Sequence, residues 1–161
     1  MSLQAGFSIW FVFAKLVAYS HSLPTSRTLV PIKLMNMKVT VEKNEQVANM
    51  VFASIYPLYL NRLKKNGRTK EELNQVIKWF TGYDQDALQE LIDDKVTFGT
   101  FFQKANIHPN AHLIKGVVCG YRIEEIEDEF ELYKQCRQME KLIDELARGR
   151  KMEKILREEK N

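Results

Sequence analysis

From Val47 onward the apolar residues recur every three or four positions, in Val47, Met50, Val51, Ile55, Leu58 and Tyr59. Residues at that spacing line one side of a helix, whereas a half-buried strand would need strict alternation. The rhythm returns in Leu73, Val76, Ile77 and Phe80, then in Ala87, Leu88, Leu91 and Ile92. Phe98, Phe101 and Phe102 repeat it, and Phe130, Tyr133, Met139, Leu142, Ile143 and Leu146 extend it along a longer element. Only four prolines and seven glycines occur in 161 residues, so long helices are permitted. The expected fold is all-α, a compact bundle of five or six helices forming a single domain over residues 37–161. A chain of this length buries roughly two thirds of its unfolded surface, so it needs neither disulfide nor metal to fold.

Local signals mark the helix ends. Pro57 lies inside the first run and predicts a kink there, or a restart with proline in a first turn. Lys64 and Lys65 suit the negative end of a helix dipole, and Gly67 suits the left-handed residue beyond it. Thr69 followed by Glu72 reads as a capping box. Gly82 closes that helix, Asp84 can cap the next, and Thr97 can cap a short one. Residues 106–112 read as a loop or cap. The stretch 113–120 has β-branched residues that favour a strand and two glycines that weaken a helix. With no second strand candidate to pair with, a buried helical turn is expected there. Residues 123–129 lead into the long helix, Arg148-Gly149-Arg150 breaks it, and Met152, Ile155 and Leu156 form a short amphipathic tail.

Residues 1–36 read differently. Phe7 to Ala14 is apolar and uncharged, Lys15 interrupts it, and a polar stretch follows from Ser20 to Arg27. A secretory signal wants positive charge ahead of the apolar run, and a membrane span wants about twenty unbroken apolar residues. The favoured expectation is an N-terminal extension outside the fold, with Met35 or Met37 as the native start. The alternative is a genuine signal or anchor, which would make the protein exported or membrane-anchored. The core domain itself carries no membrane signal.

Twenty-four basic and 21 acidic side chains leave a net charge of +3, a balance that argues against a dedicated nucleic-acid binder. Cys119 and Cys136 form no CxxC pair and match no zinc spacing, so they read as two reduced thiols of a cytosolic protein.

Four groupings could carry chemistry. If residues 112–121 were helical, His112, Lys115 and Cys119 would share one face, and the ammonium would lower the thiol's pKa. A polar pocket holding Lys115, Cys119 and Tyr121 would favour a reactive site, whereas burial among Leu113, Val117 and Val118 would make Cys119 a small core residue. His108 and His112 lie four apart, but Pro109 and Asn110 place them on a loop with no acidic third ligand, so no metal or other cofactor is expected. Arg62, Lys64, Lys65, Arg68 and Lys70 form a basic cluster that could meet phosphates or simply serve a solvated helix end. Trp79, near it in sequence, is expected at the core or its edge, against the first helix. The acidic run Glu124, Glu125, Glu127, Asp128, Glu129 and Glu131 precedes the basic Arg148, Arg150, Lys151, Lys154 and Arg157. That order suits the dipole of one helix, and it would also suit an antiparallel contact between two copies in a homodimer.

The run Phe52-Ala53-Ser54-Ile55-Tyr56-Pro57-Leu58-Tyr59 resembles the opening of a bacterial family known as domain of unknown function 2200. Lys78-Trp79-Phe80-Thr81-Gly82-Tyr83 and Leu113 to Gly120 are similar to its second and third motifs. Leu142 to Gly149 and Met152 to Leu156 resemble its C-terminal one. The resemblance spans about Met37 to Arg157 in order. Members often carry a proline after the Glu-Asp pair; here Glu129 follows Asp128, which would let the acidic segment merge into the long helix. The resemblance implies a bacterial cytosolic protein, and it implies no activity and no catalytic residue.

No P-loop, dinucleotide fingerprint, nucleophile elbow or HExxH occurs in the sequence. The leading expectation is therefore a small cytosolic binding or protein-interaction domain without catalytic activity. Two alternatives stay open: a thiol-dependent or small-ligand enzyme using Cys119 and Lys115, and a weak nucleic-acid-binding module using the basic cluster at residues 62–70.

Overall fold

The first apolar run is divided by a backbone bridge and not by its proline. In the computed structural model, which describes residues 38–157, α1 spans Val41–Ala48 and α2 spans Phe52–Lys64. Between them Val51 is extended and bridges Thr97, with Phe52 N–H donating to the Val96 carbonyl (2.9 Å) and Phe98 N–H to the Met50 carbonyl (2.8 Å). Those bonds commit the backbone groups that a continuous helix would use. Beyond the bridge α2 runs unbroken through Pro57, which is exposed, so the restart expected at the proline lies at the bridge instead. The expectations for residues 1–36 lie outside the described residues.

The remaining helix ends follow the local signals. Gly67 is left-handed at φ 70°, and the Arg68 N–H returns to the Leu63 carbonyl at 3.0 Å. Helix α3 (Lys70–Thr81) has a complete capping box: Thr69 Oγ1 accepts from Glu72 N–H (3.2 Å) and Glu72 Oε2 accepts from Thr69 N–H (2.9 Å). Asp84 caps α4 (Gln85–Asp93) through the Ala87 N–H at 2.8 Å. Thr97 caps α5 (Phe98–Gln103) through the Thr100 N–H at 3.3 Å. Phe52 stacks on Phe101 with centroids 4.3 Å apart and meets Phe98 edge-on at 5.6 Å, which joins α2 to α5.

Residues 113–120 do not form the expected helical turn. Val117–Val118 (β1) pairs antiparallel with Tyr121–Arg122 (β2), in register Val117↔Arg122 and Val118↔Tyr121. The missing strand partner is the next two residues. Cys119 and Gly120, both at positive φ (51° and 82°), supply the tight two-residue turn that such a hairpin needs. Gly116 Cα precedes it at φ 103°, and its N–H is held by Glu124 Oε2 at 2.8 Å. The acidic segment does not merge into the long helix either. It forms two 3-10 turns, Ile123–Glu125 and Asp128–Phe130, before α6 begins.

Helix α6 (Glu131–Ala147) is the axis of the bundle. α1, α2, α3, α5, β1 and the terminal α7 (Met152–Ile155) all pack against it. Met139, Leu142, Ile143 and Leu146 are fully buried, and each such side chain contributes roughly 1.5–3 kcal/mol of transfer free energy. Seven α-helices thus occur among the described residues, against five or six expected, because the first run is split. No helix among the described residues is long and apolar enough to cross a membrane.

Candidate functional site

A helix surrounded on most sides must bury whatever its sequence places at each position. On α6, Tyr133, Cys136, Arg137 and Glu140 are spaced three or four apart and share one face. All four are buried, with Arg137 only 2% exposed. Two of the guanidinium nitrogens bond within the same helix: Arg137 Nη2 donates to Tyr133 Oη at 3.0 Å, and Nη1 donates to Glu140 Oε2. It also lies over the Tyr133 ring, 4.5 Å from the centroid, and near the Tyr121 ring at 5.7 Å. Burial is the largest influence and opposes the Arg137 charge, but Glu140, Cys136, Tyr133 and Cys119 together outweigh it and raise the pKa.

Three other elements complete the cluster. The hairpin supplies Tyr121, whose ring meets Tyr133 edge-on at 5.2 Å, and Cys119, whose thiol lies 3.6 Å from Glu140 Oε2. From α1, Lys43 Nζ donates to Tyr121 Oη at 2.9 Å. Tyr59 on α2 points its hydroxyl into the same region. That hydroxyl is buried and has no hydrogen-bond partner among the described residues. Burial pushes its pKa well up, and Glu140 raises it further while Arg137 lowers it. Leaving such a donor unpaired costs about 1–3 kcal/mol.

Both thiols are held toward their protonated form. Burial, reinforced by Glu140, pushes Cys119 up to about 12. Burial likewise raises Cys136 far above its ordinary value. Both are free. At neutral pH the thiolate fraction of each is negligible.

Of the four residues nominated from sequence, the fold brings Cys119 and Tyr121 into this cluster and leaves His112 and Lys115 on the surface. Because the segment is a hairpin, the helical spacing that would join Lys115 to Cys119 does not exist. His112 Nδ1 instead lies 2.7 Å from the Pro109 carbonyl. His108 stacks on Trp79 at 4.2 Å and accepts the Asn110 N–H at 3.1 Å. Trp79 is half-buried, at the core edge. Among the described residues no group of three or more His, Cys, Asp or Glu side chains is arranged to hold a metal.

The basic cluster is divided in the same way. Arg62 binds Asp144. Arg68 binds Glu72 (2.7 Å) and the carbonyls of Leu146 (3.2 Å) and Arg150 (3.1 Å). Lys64, Lys65 and Lys70 remain exposed. The C-terminal arginines reach carboxylates of α6 from the surface: Arg148 meets Asp144 at 2.9 Å, and Arg150 meets Glu145 at 2.9 Å. In the acidic run, Glu124 is held below the usual carboxylate range, first by the Gly116 N–H and then by Arg122.

Tyr59, Tyr133, Arg137 and Glu140 were not singled out from the sequence. The available signal was an Arg and a Glu three apart on the apolar stripe of the long helix, where surface charge does not belong.

A family model described as "Uncharacterized protein conserved in bacteria (DUF2200)" matches residues 46–157. No curated protein matches the chain. Among solved structures, the "Crystal structure of uncharacterized protein SP1917" is similar, with a TM-score of 0.66 and 34% sequence identity over 72% of this chain and 97% of that one.

Proposed function

We propose a function for a chain that belongs to the DUF2200 family, uncharacterized proteins conserved in bacteria: a non-catalytic binding domain whose ligand site is the polar cluster around Arg137. One observation carries this reading. Tyr59 keeps a hydroxyl in the interior with no hydrogen-bond partner among the described residues, in the electrostatic field of Glu140 and Arg137. A phenylalanine there would serve packing better, so the hydroxyl is a stability cost of the kind that binding sites retain. The ligand it suits is small and carries an oxygen acceptor, a carboxamide before a carboxylate, because Tyr59 has a donor to give and Glu140 already offsets the charge of Arg137. Two protonated thiols do not support thiol catalysis. Two unpaired cysteines suit the reducing cytosol.

The test is a thermal-shift panel of small carboxylates and carboxamides on the full chain and its Tyr59→Phe variant. A member of the panel should raise the midpoint of the parent and raise that of the variant less. A panel that leaves the parent unmoved, or moves both proteins equally, overturns the proposal.

A further inference from the structure

Helix α1 is held differently at its two ends. Its C-terminal end is fixed by backbone: Val51 bridges Thr97, the Met50 carbonyl accepts the Phe98 N–H, and Ala48 lies so close to Gly99 that a Cβ there would be 3.3 Å from the Ala48 carbonyl. Among the described residues its N-terminal half is tied to the body by Lys43, whose Nζ donates to Tyr121 Oη, while the helix also packs on α5 and α6. Along its eight residues only Val47 is buried, and Val41 stands 61% exposed. An eight-residue helix has little stability of its own, so its position depends on its packing against α5 and α6 and on the Lys43 bond. One buried group works against closure. Asn44 Oδ1, next to the latch, is covered by protein and has no hydrogen-bond partner among the described residues. An acceptor stripped of water in this way favours the open position, where water can reach it.

We infer that α1 is a hinged flap over the Tyr121–Tyr133–Arg137 cluster, pivoting at Asn49–Val51 and latched by Lys43 on Tyr121. As a gate it rests on the ligand reading above; as a local opening motion it stands alone. Opening breaks the latch, frees the Tyr121 hydroxyl and hydrates Asn44, while the bridge at Thr97 stays intact. Segments with few buried apolar contacts open locally at much lower free energy than the core. The latch and the orphan acceptor therefore make opposite contributions to the same equilibrium.

Amide hydrogen exchange on the full chain measures that equilibrium through α1, with α3 and α6 as internal references. Lys43→Met removes the latch and should speed exchange in α1 on the order of tenfold while α3 and α6 keep their rates. Asn44→Leu replaces the orphan acceptor with an apolar group and should slow α1. Unchanged α1 rates in Lys43→Met, an equal rise across α1, α3 and α6, or faster α1 exchange in Asn44→Leu would each overturn the flap. The predicted exchange pattern together with an unresponsive ligand panel would refute the binding site and leave the flap standing.

Discussion

Arg157 grips Glu145 with both arms of its guanidinium, Nη1 donating to Oε2 at 2.8 Å and Nη2 to Oε1 at 3.0 Å. The carboxylate sits on the buried axis helix, and the pair is mostly covered, at 13% and 8% side-chain exposure. The clasp closes the C-terminal turn over Ile155 and Leu156, which are buried. Arg157→Ala leaves Glu145 with Arg150 as its remaining partner and should cost about 2–4 kcal/mol, somewhat less than breaking a fully buried pair. Urea denaturation measures the loss. Limited proteolysis should cut the variant near Gly149 sooner than the parent; equal stability and equal cleavage would show the clasp to be idle.

The thiols set an alkaline limit. Cys119 has an ordinary value of 9.0 and is pushed up to about 12 in the fold, so between those values the unfolded chain loses its proton and the folded chain keeps it. The protonated thiol's contribution is intact below pH 9 and is lost as pH rises toward 12. Stability should fall across that window, and Cys119→Ala should make the fall shallower. In the native protein at pH 8 a maleimide should label neither cysteine quickly, and both should label on unfolding. Fast labelling of Cys119 would contradict its half-buried, protonated state.

Two glycines end helices with similar backbone and different surroundings. At Gly82 (φ 74°) a Cβ would lie 3.2 Å from both the Cβ and the carbonyl of Asn106, whereas at Gly67 (φ 70°) it would meet nothing within 4 Å. Alanine at Gly67 should cost about 1 kcal/mol for the left-handed conformation alone. Alanine at Gly82 should cost clearly more, because the Asn106 backbone has to move as well. Melting of the two variants side by side checks the order; equal costs would mean that the Asn106 contact yields freely.

The helix ends were legible because their signals are local. Thr69 and Glu72 complete a capping box from within four residues, and Asp84 and Thr97 bond N–H groups three residues on. The break before Phe52 was hidden, since it depends on Thr97, far along the chain. The hairpin was hidden for a different reason: two-residue strands give no alternation to detect, and Cys119 is an uncommon residue for a left-handed turn position. In the site, Cys119 and Tyr121 were visible as polar groups on an ambiguous segment. Arg137 and Glu140 look like ordinary helix-surface charges until the packing around α6 is known. Tyr59 reads as a core aromatic from its spacing, and no sequence pattern reports that its hydroxyl lacks a partner among the described residues.

That hydroxyl is the point at which the account is most exposed. Urea denaturation of the ligand-free Tyr59→Phe variant measures it directly. Deleting an unpaired buried hydroxyl while keeping the ring should raise the unfolding free energy by about 1 kcal/mol, with the m-value unchanged. A variant less stable than the parent would mean that the Tyr59 hydroxyl already bonds something in the folded protein, and the reason for placing a ligand beside Arg137 would be gone.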